Sequence, residues 1–597
     1  MFSGLLFISL FYGLCIYALC CDGGKKHIKC LYAESTYQQK IIIGLALTFS
    51  VMFSAWWVRQ NKYIYFWDNA GYWSYSISRM NYMFNNSFVD IVKSLHLSIN
   101  FDDYNMFLPT IVALPMGLFG YTFSKYVLIC CVMFLIPSFL IFGGIASKII
   151  ENTSLNKCKV FVVGVILAIC FAGNYYAVFR GYIDVAFLLP MSAAMYLFVD
   201  YDFRRMALSR NLAIALMLVM TWICRRYTIF FIIGYVVAML VKAISVTIED
   251  RNARTLTSII INFLQIGTIS LGILLIFFRQ FLWHALTTNY GEMYSAYDAT
   301  LSQKINSLTA AFGYISGVVI VIVGVMCFIS KKQIINYVSL LVMGLTETII
   351  FWQTQDMGEQ HRMILNLPIY ILTVISLEHW EMSEEIRPKM KAYLKRLVVI
   401  ICACSMGLNF VKAFFNDFST KGCGTLFSCR YYPLQRQDID SLDVLVTNLN
   451  ELTESTDDYI YVVASGAILN CDMLRKVYMP DKENAVPHMF NTCDVDLRDG
   501  FPTDFLRAKY IVTTDPIQTH LTTGQEVICY LASNLQESNS YIGCHFECID
   551  QIELDNGVTA KIYSKISEFS DKDLQRMRDY YTNLYPGYES LFANRIQ

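Results

Sequence analysis

Trp67-Asp68-Asn69-Ala70-Gly71-Tyr72-Trp73-Ser74-Tyr75-Ser76-Ile77-Ser78-Arg79-Met80 begins shortly after an apolar run over 41–58 ends. A run of that length is close to the roughly 20 residues that cross a bilayer as a helix. The stretch after it therefore starts at a membrane surface. A loop acid is ordinarily just solvated. Asp68 instead lies at a boundary among bulky rings that exclude water, where a carboxylate is costly and calls for a functional reason.

Composition supports that reading of the boundary. The chain of 597 residues is 55% hydrophobic and only 16% charged, with a mean hydropathy of +0.42. Soluble proteins carry about a quarter charged residues. Apolar runs of near-spanning length fall at 2–20, 41–58, 123–148, 158–176, 181–200, 211–224, 227–245, 257–278, 309–329, 333–351, 363–379 and 396–414, about twelve in all. The fold class is a polytopic α-helical membrane protein. A net charge of -1 speaks against general attraction to nucleic acid. Most of the nineteen cysteines lie in or beside apolar runs, where cysteine acts as a small hydrophobe, and no zinc-type quartet is visible.

Orientation follows from lysine and arginine in short loops. Lys25, Lys26, Lys29 and Lys40 share one side with Lys148, Lys157 and Lys159, with Arg204, Arg205 and Arg210, and with Arg251 and Arg254. Lys331, Lys332, Arg387, Lys389, Lys391, Lys395 and Arg396 join them. That side is assigned to the cytoplasm, which puts both termini outside. Phe2 to Cys20 lacks a basic start and a cleavage site, so it reads as a retained span. The assignment requires that 105–120, short and interrupted by Pro109 and Pro115, does not cross. It is expected, with 70–82 and 86–98, to form helices in the outer interface.

Three domains follow: an additional N-terminal helix and loop over 1–40, a membrane domain over 41–414 with its first outer loop at 59–122, and an outer α/β domain over 415–597. In the last, 459–464, 508–513 and 557–563 read as strands and 467–475 as a helix. It holds Cys423, Cys429, Cys471, Cys493, Cys529, Cys544 and Cys548. An oxidising exterior would permit disulfides, and Cys423/Cys429 and Cys544/Cys548 are the nearest pairs.

Further charges gather on the outer side. Asp102 and Asp103 precede an apolar helix; as hard oxygen donors they suit either a divalent cation (Mg or Mn) or an acceptor's hydroxyls. Lys125, Arg180, Arg225, Arg226 and Arg362 lie at outer span ends. Arg225 and Arg226 could equally snorkel to headgroups. Arg180 and Asp184 could be a local i,i+4 pair. His361 reads as a base, a metal ligand or a structural ring. His284, Glu292 and Tyr294 lie in a 279–308 loop long enough to be a lid.

The ordered set of these motifs resembles the C-type (GT-C) glycosyltransferases. The closest likeness is to the dolichyl-phosphate-mannose protein mannosyltransferase-like family and the bacterial lipid A aminoarabinose transferases. Their acid, Tyr and Arg-Met on one short helix match Asp68, Tyr72, Arg79 and Met80. Their second block matches Asp102-Asp103-Tyr104-Asn105, Pro109 and Leu118-Phe119-Gly120, with Lys125 where relatives often carry Arg. Arg180-Gly181-Tyr182-Ile183-Asp184 and His361-Arg362-Met363-Ile364-Leu365-Asn366-Leu367-Pro368 resemble later blocks. The double proline of the second block is replaced here by a single Pro109, and Asn69 stands where many relatives have Glu.

What the resemblance implies is a sugar donor on a polyprenyl phosphate or diphosphate and an acceptor hydroxyl on a glycan, lipid or protein. Asp68 would be the base, and Arg225, Arg226, Arg362 and Lys125 would hold the donor phosphate. The expected location is a bacterial plasma membrane, among membrane lipids and away from nucleic acid. A polymerase or ligase for lipid-linked saccharides shares that donor, and His361-Arg362 suits it. A non-enzymatic flippase would place ionisable residues along the bundle interior and show repeated halves.

Overall fold

The structure is a computed structural model that describes residues 2–151, 155–380, 386–415, 426–482 and 484–597. The chain divides into two compact units. One comprises Met1–Gln60, Tyr75–Thr288 and Ala299–Pro433; the other comprises Asn61–Ser74, Asn289–Asp298 and Leu434–Gln597. Two segments that the sequence places in outer loops of the membrane domain, 61–74 and 289–298, therefore fold with the C-terminal residues.

The first unit is helical. Among the described residues, eight of its helices are long and apolar enough to cross a membrane: Ser3–Cys20, Tyr37–Val58, Phe123–Ile149, Arg226–Asp250, Ala253–Phe277, Leu301–Ser330, Ile334–Trp352 and Lys395–Phe414. The other four predicted spans come out short or broken. Lys157–Ile169 is followed by separate turns at Ala172–Asn174 and Tyr176–Phe179. Ile183–Phe198 and Leu208–Cys224 are short, and 361–379 is assembled from three pieces. At about 1.5 Å per residue, a 13-residue helix reaches only about 20 Å. Irregular backbone at membrane depth is tolerated where protein surrounds it, and every residue of Ile183–Phe198 is buried.

Local chemistry explains the breaks. Where Lys157–Ile169 ends, the Asn174 amide donates to the Ala168 carbonyl at 2.9 Å, and Asn366 donates to Asn174 at 3.0 Å. Phe123–Ile149 widens to a π turn at Cys131–Leu135, ahead of Pro137. Proline cannot bond the carbonyl four residues back, and the hydroxyl of Tyr12 donates to that carbonyl, Met133 O. The N-terminal helix thus packs into the bundle, against Phe107–Phe119, Leu188–Phe198 and Leu208–Cys224. Phe107–Phe119 is helical as expected, with Leu108–Leu114 and Met116 buried.

The second unit is built on a four-stranded sheet. Its strands are β1 (Ile460–Val463), β2 (Tyr510–Asp515), β3 (Phe546–Glu553) and β4 (Thr559–Lys565), in the order β1-β2-β4-β3. β1 and β2 run parallel; the β2–β4 and β3–β4 pairs are antiparallel. Alternation sends Ile460 and Val462 to one face and Tyr461 and Val463 to the other. The first face packs on Leu442, Leu445, Val446 and Leu449 of the helix Ile439–Thr453, and on Ile64 and Phe66. The second packs on Val527, Ile528 and Leu531 of Glu526–Gln536, and on Met577 and Tyr581. Burying Ile64 and Phe66 here is what attaches the 61–74 segment to this sheet. The predicted helix at 467–475 appears as Cys471–Lys476. Cys544 and Cys548 are free thiols, as are Cys471, Cys493 and Cys529; Cys423 lies outside the described residues.

Candidate functional site

Within the first unit, two groups of predicted residues come together. Asp184, fully buried, takes the Arg225 guanidinium at 2.9 Å from Nε and the Tyr227 hydroxyl at 2.5 Å. The His361 ring lies 4.6 Å from that of Tyr227 and 4.9 Å from Phe351. Its Nδ1 accepts the Gly358 N–H at 3.1 Å.

The second group joins Asp103 to Arg226. The Arg226 guanidinium pairs with the Asp103 carboxylate and donates to the Asp102 carbonyl at 3.0 Å. His284 reaches the same Asp103 oxygen at 3.2 Å. Asp102 accepts from Ser98. A divalent cation fits this pair poorly, because guanidinium and imidazole already face the Asp103 carboxylate. Among the described residues, no three or more His, Cys, Asp and Glu side chains group so as to hold a metal ion.

The remaining first-unit candidates have identifiable neighbours. Arg180 faces Glu359 at 3.8 Å and lies over the Tyr431 ring at 4.3 Å. Arg362 donates to the Met357 carbonyl at 3.0 Å and to Ser307 at 2.8 Å. Lys125 packs over Gly120, where φ is +103° and a Cβ would stand 2.8 Å from Lys125 Cδ. Arg79 is buried and bonds Thr110 at 2.8 Å, Ser94 at 3.0 Å and the Ile91 carbonyl at 2.9 Å. Those contacts tie three helices, Asp68–Asn85, Phe88–Phe101 and Phe107–Phe119, together.

Asp68 and buried Tyr72 belong to the second unit. Trp67, just before Asp68, has φ +47°, a left-handed conformation that a bulky residue adopts only when held. Its N–H donates to the Asp472 carboxylate, and its ring lies 4.6 Å from that of His520. His520 follows β2. Its Nδ1 lies 3.0 Å from both the carbonyl and the hydroxyl oxygen of Ser465, which follows β1. Ser465 in turn donates to Asp494 at 2.7 Å. On the other side of the imidazole, Nε2 is 3.4 Å from the Tyr297 hydroxyl.

Electrostatics bind this group together. Burial pushes the Asp494 carboxyl up to about 6. Burial raises the Tyr297 phenol, and Asp494 and Asp68 lie near enough to push it further while Arg498 opposes them. Burial also lowers His520. Asp68, Trp67, Tyr297, Asp494 and His520 are all half-buried, so each keeps an accessible part. Neutral imidazole, phenol, indole and carboxylate together suit hydroxyl-rich ligands.

His520, Ser465, Asp494 and Tyr297 carry no motif in the sequence. Their one signal is position: Ser465 and His520 follow two parallel strands, where open α/β sheets bind ligands. Of the three residues suggested for a lid, His284 meets Asp103. Glu292 accepts from Tyr588 at 2.9 Å, and Tyr294 stacks on Tyr290. Compared with models of protein families and with curated proteins, the chain matches none.

Proposed function

We propose that the protein is a membrane glycosyltransferase that moves a sugar from a polyprenyl-phosphate-type donor to an acceptor hydroxyl on the outer face of a bacterial plasma membrane. The observation that carries this reading is the setting of Asp68. It heads a helix beside a strained Trp67, within a half-buried cluster of hydroxyl, imidazole and carboxylate groups. Asp68 accepts the proton of the acceptor hydroxyl as that oxygen bonds to the anomeric carbon. The bond from that carbon to the phosphate oxygen breaks, and its electron pair leaves with the phosphate.

A phosphate leaving group needs little acid but benefits from positive charge in a dry site. Arg226 is the readiest donor-phosphate ligand, since its partner Asp103 is half-exposed and can yield to an anion. Arg225, Arg362 and Lys125 are the further candidates. The topology that goes with this reading has about twelve crossings, four of them short or broken, and both termini outside. The test is Asp68→Asn expressed in cells that lack the gene, with mass spectrometry of the surface glycans. Loss of one glycan modification with normal membrane levels is expected; restored glycans would remove Asp68 as the base.

One observation favours a second reading, a carrier of lipid-linked saccharide. Glu347 and Lys242 are ionisable, buried and inside the helical unit. A carrier would lose translocation in Glu347→Gln and keep it in Asp68→Asn.

A further inference from the structure

The second unit holds the candidate base and the carboxyl ends of two parallel strands in one place, and we infer that this end of the sheet is the binding site for a saccharide acceptor. The inference rests on the transferase reading above and names the acceptor's class and seat.

Three features point to a sugar. Trp67 and Tyr297 supply aromatic rings next to His520, at 4.6 Å and 6.1 Å between ring centroids. Sugars present C–H faces to such rings and hydroxyls to their rims. The imidazole is held by its Nδ1, which lies 3.0 Å from the Ser465 carbonyl and hydroxyl oxygens and 3.1 Å from the Gln525 amide nitrogen, so that Nε2 faces Tyr297. That gap of 3.4 Å is long for a direct hydrogen bond, and a ligand hydroxyl, which both donates and accepts, can bond Nε2 and the Tyr297 hydroxyl in either tautomer.

The third feature is strain. A bulky residue at φ +47° persists only where its surroundings enforce it, and here the Asp472 carboxylate holds the Trp67 N–H. The same turn sets the direction in which Asp68 leaves the sheet end. One wall of the acceptor seat, Trp67, and the base, Asp68, are thereby neighbours on one held turn, which favours a near-attack geometry.

The test uses the full-length protein in lipid nanodiscs and saturation-transfer NMR with three probes: methyl α-mannopyranoside, methyl β-galactopyranoside and methyl β-N-acetylglucosaminide. At least one probe should receive saturation, and Tyr297→Ala and His520→Ala should each weaken its binding by about tenfold. Tyr297→Phe and His520→Gln, which preserve shape, should weaken it while leaving thermal unfolding unchanged. Asp68→Asn should keep the binding signal and lose transfer. No transfer of saturation to any probe, or signals that survive in both alanine variants, would overturn the inference. Binding as expected with normal glycans in Asp68→Asn would leave this site standing and remove the catalytic reading instead.

Discussion

Arg225 Nε sits 2.9 Å from Asp184 Oδ1, with side chains 9% and 0% exposed. Removing one partner from a buried pair strands the other charge and costs about 3–5 kcal/mol, whereas replacing both with apolar groups is often neutral. Asp184→Leu and Arg225→Met should therefore each lower thermal stability sharply, and the double variant should recover most of it. A double variant no better than either single one would mean that the two charges act separately.

Arg79 belongs to the motif that carries Asp68, yet its guanidinium is spent on Thr110, Ser94 and the Ile91 carbonyl. Lysine cannot reproduce that planar fork. Arg79→Lys is expected to cost about 1.5–3 kcal/mol of stability, the range for hydrogen bonds to a charged group. With the fold intact, transfer should fall only as far as the folded fraction does. A full-strength fold with abolished transfer would instead give Arg79 a direct part in the chemistry.

Legibility in the sequence varied with how local the cause was. Long spans were plain, because length and apolarity alone set them. The runs 211–224 and 363–379 read as spans because their composition is apolar; what lets Leu208–Cys224 and the pieces of 361–379 be short is the protein around them. β3 gives no strand signal because it is an edge strand whose exposed Glu547 and Gln551, with Asp550 and a bulge between Cys548 and Asp550, break any apolar alternation. The residues Ile64 and Phe66 gave no sign that they fill a core made by residues 442–562. His520 and Asp494 were invisible for the same reason: only the sheet brings them to Trp67.

Asp496 gives the second unit a pH dependence. It lies under the N-terminus of Glu526–Gln536, accepting the Glu526 N–H at 2.7 Å, and meets the Tyr585 hydroxyl that also donates to Glu526 at 2.9 Å. Burial pushes its carboxyl up to about 7, well above the usual carboxylate value of about 3.9. A raised carboxyl binds its proton more tightly when folded. Its stabilising contribution is complete below about pH 4 and is lost as the pH rises through about 7. Asp494, also raised by burial to about 6, has the same sign. Hydrogen exchange in Glu526–Gln536, corrected for intrinsic rates, should show more protection at pH 5 than at pH 8, a difference that the lowered carboxyl of the neighbouring Glu526 reduces. Asp496→Asn should flatten that difference; an unchanged slope would assign it to another group.

Glu347 is fully buried in Ile334–Trp352, one turn before Phe351, and neither carboxylate oxygen has a hydrogen-bond partner among the described residues. Gly234 in the facing helix makes the room: a Cβ there would stand 2.7 Å from Glu347 Cγ and 3.1 Å from the Met343 carbonyl. Gly234→Ala should therefore destabilise the pair by about 1–3 kcal/mol through overpacking. A buried polar group without a partner costs about 1–3 kcal/mol, so Glu347→Leu should raise the unfolding midpoint of the detergent-solubilised protein. A residue kept at such a cost is usually kept for activity. The stabilised variant is accordingly expected to lose function in cells. A Glu347→Leu protein that is both more stable and fully active would reduce Glu347 to a packing residue and remove the main support for a carrier.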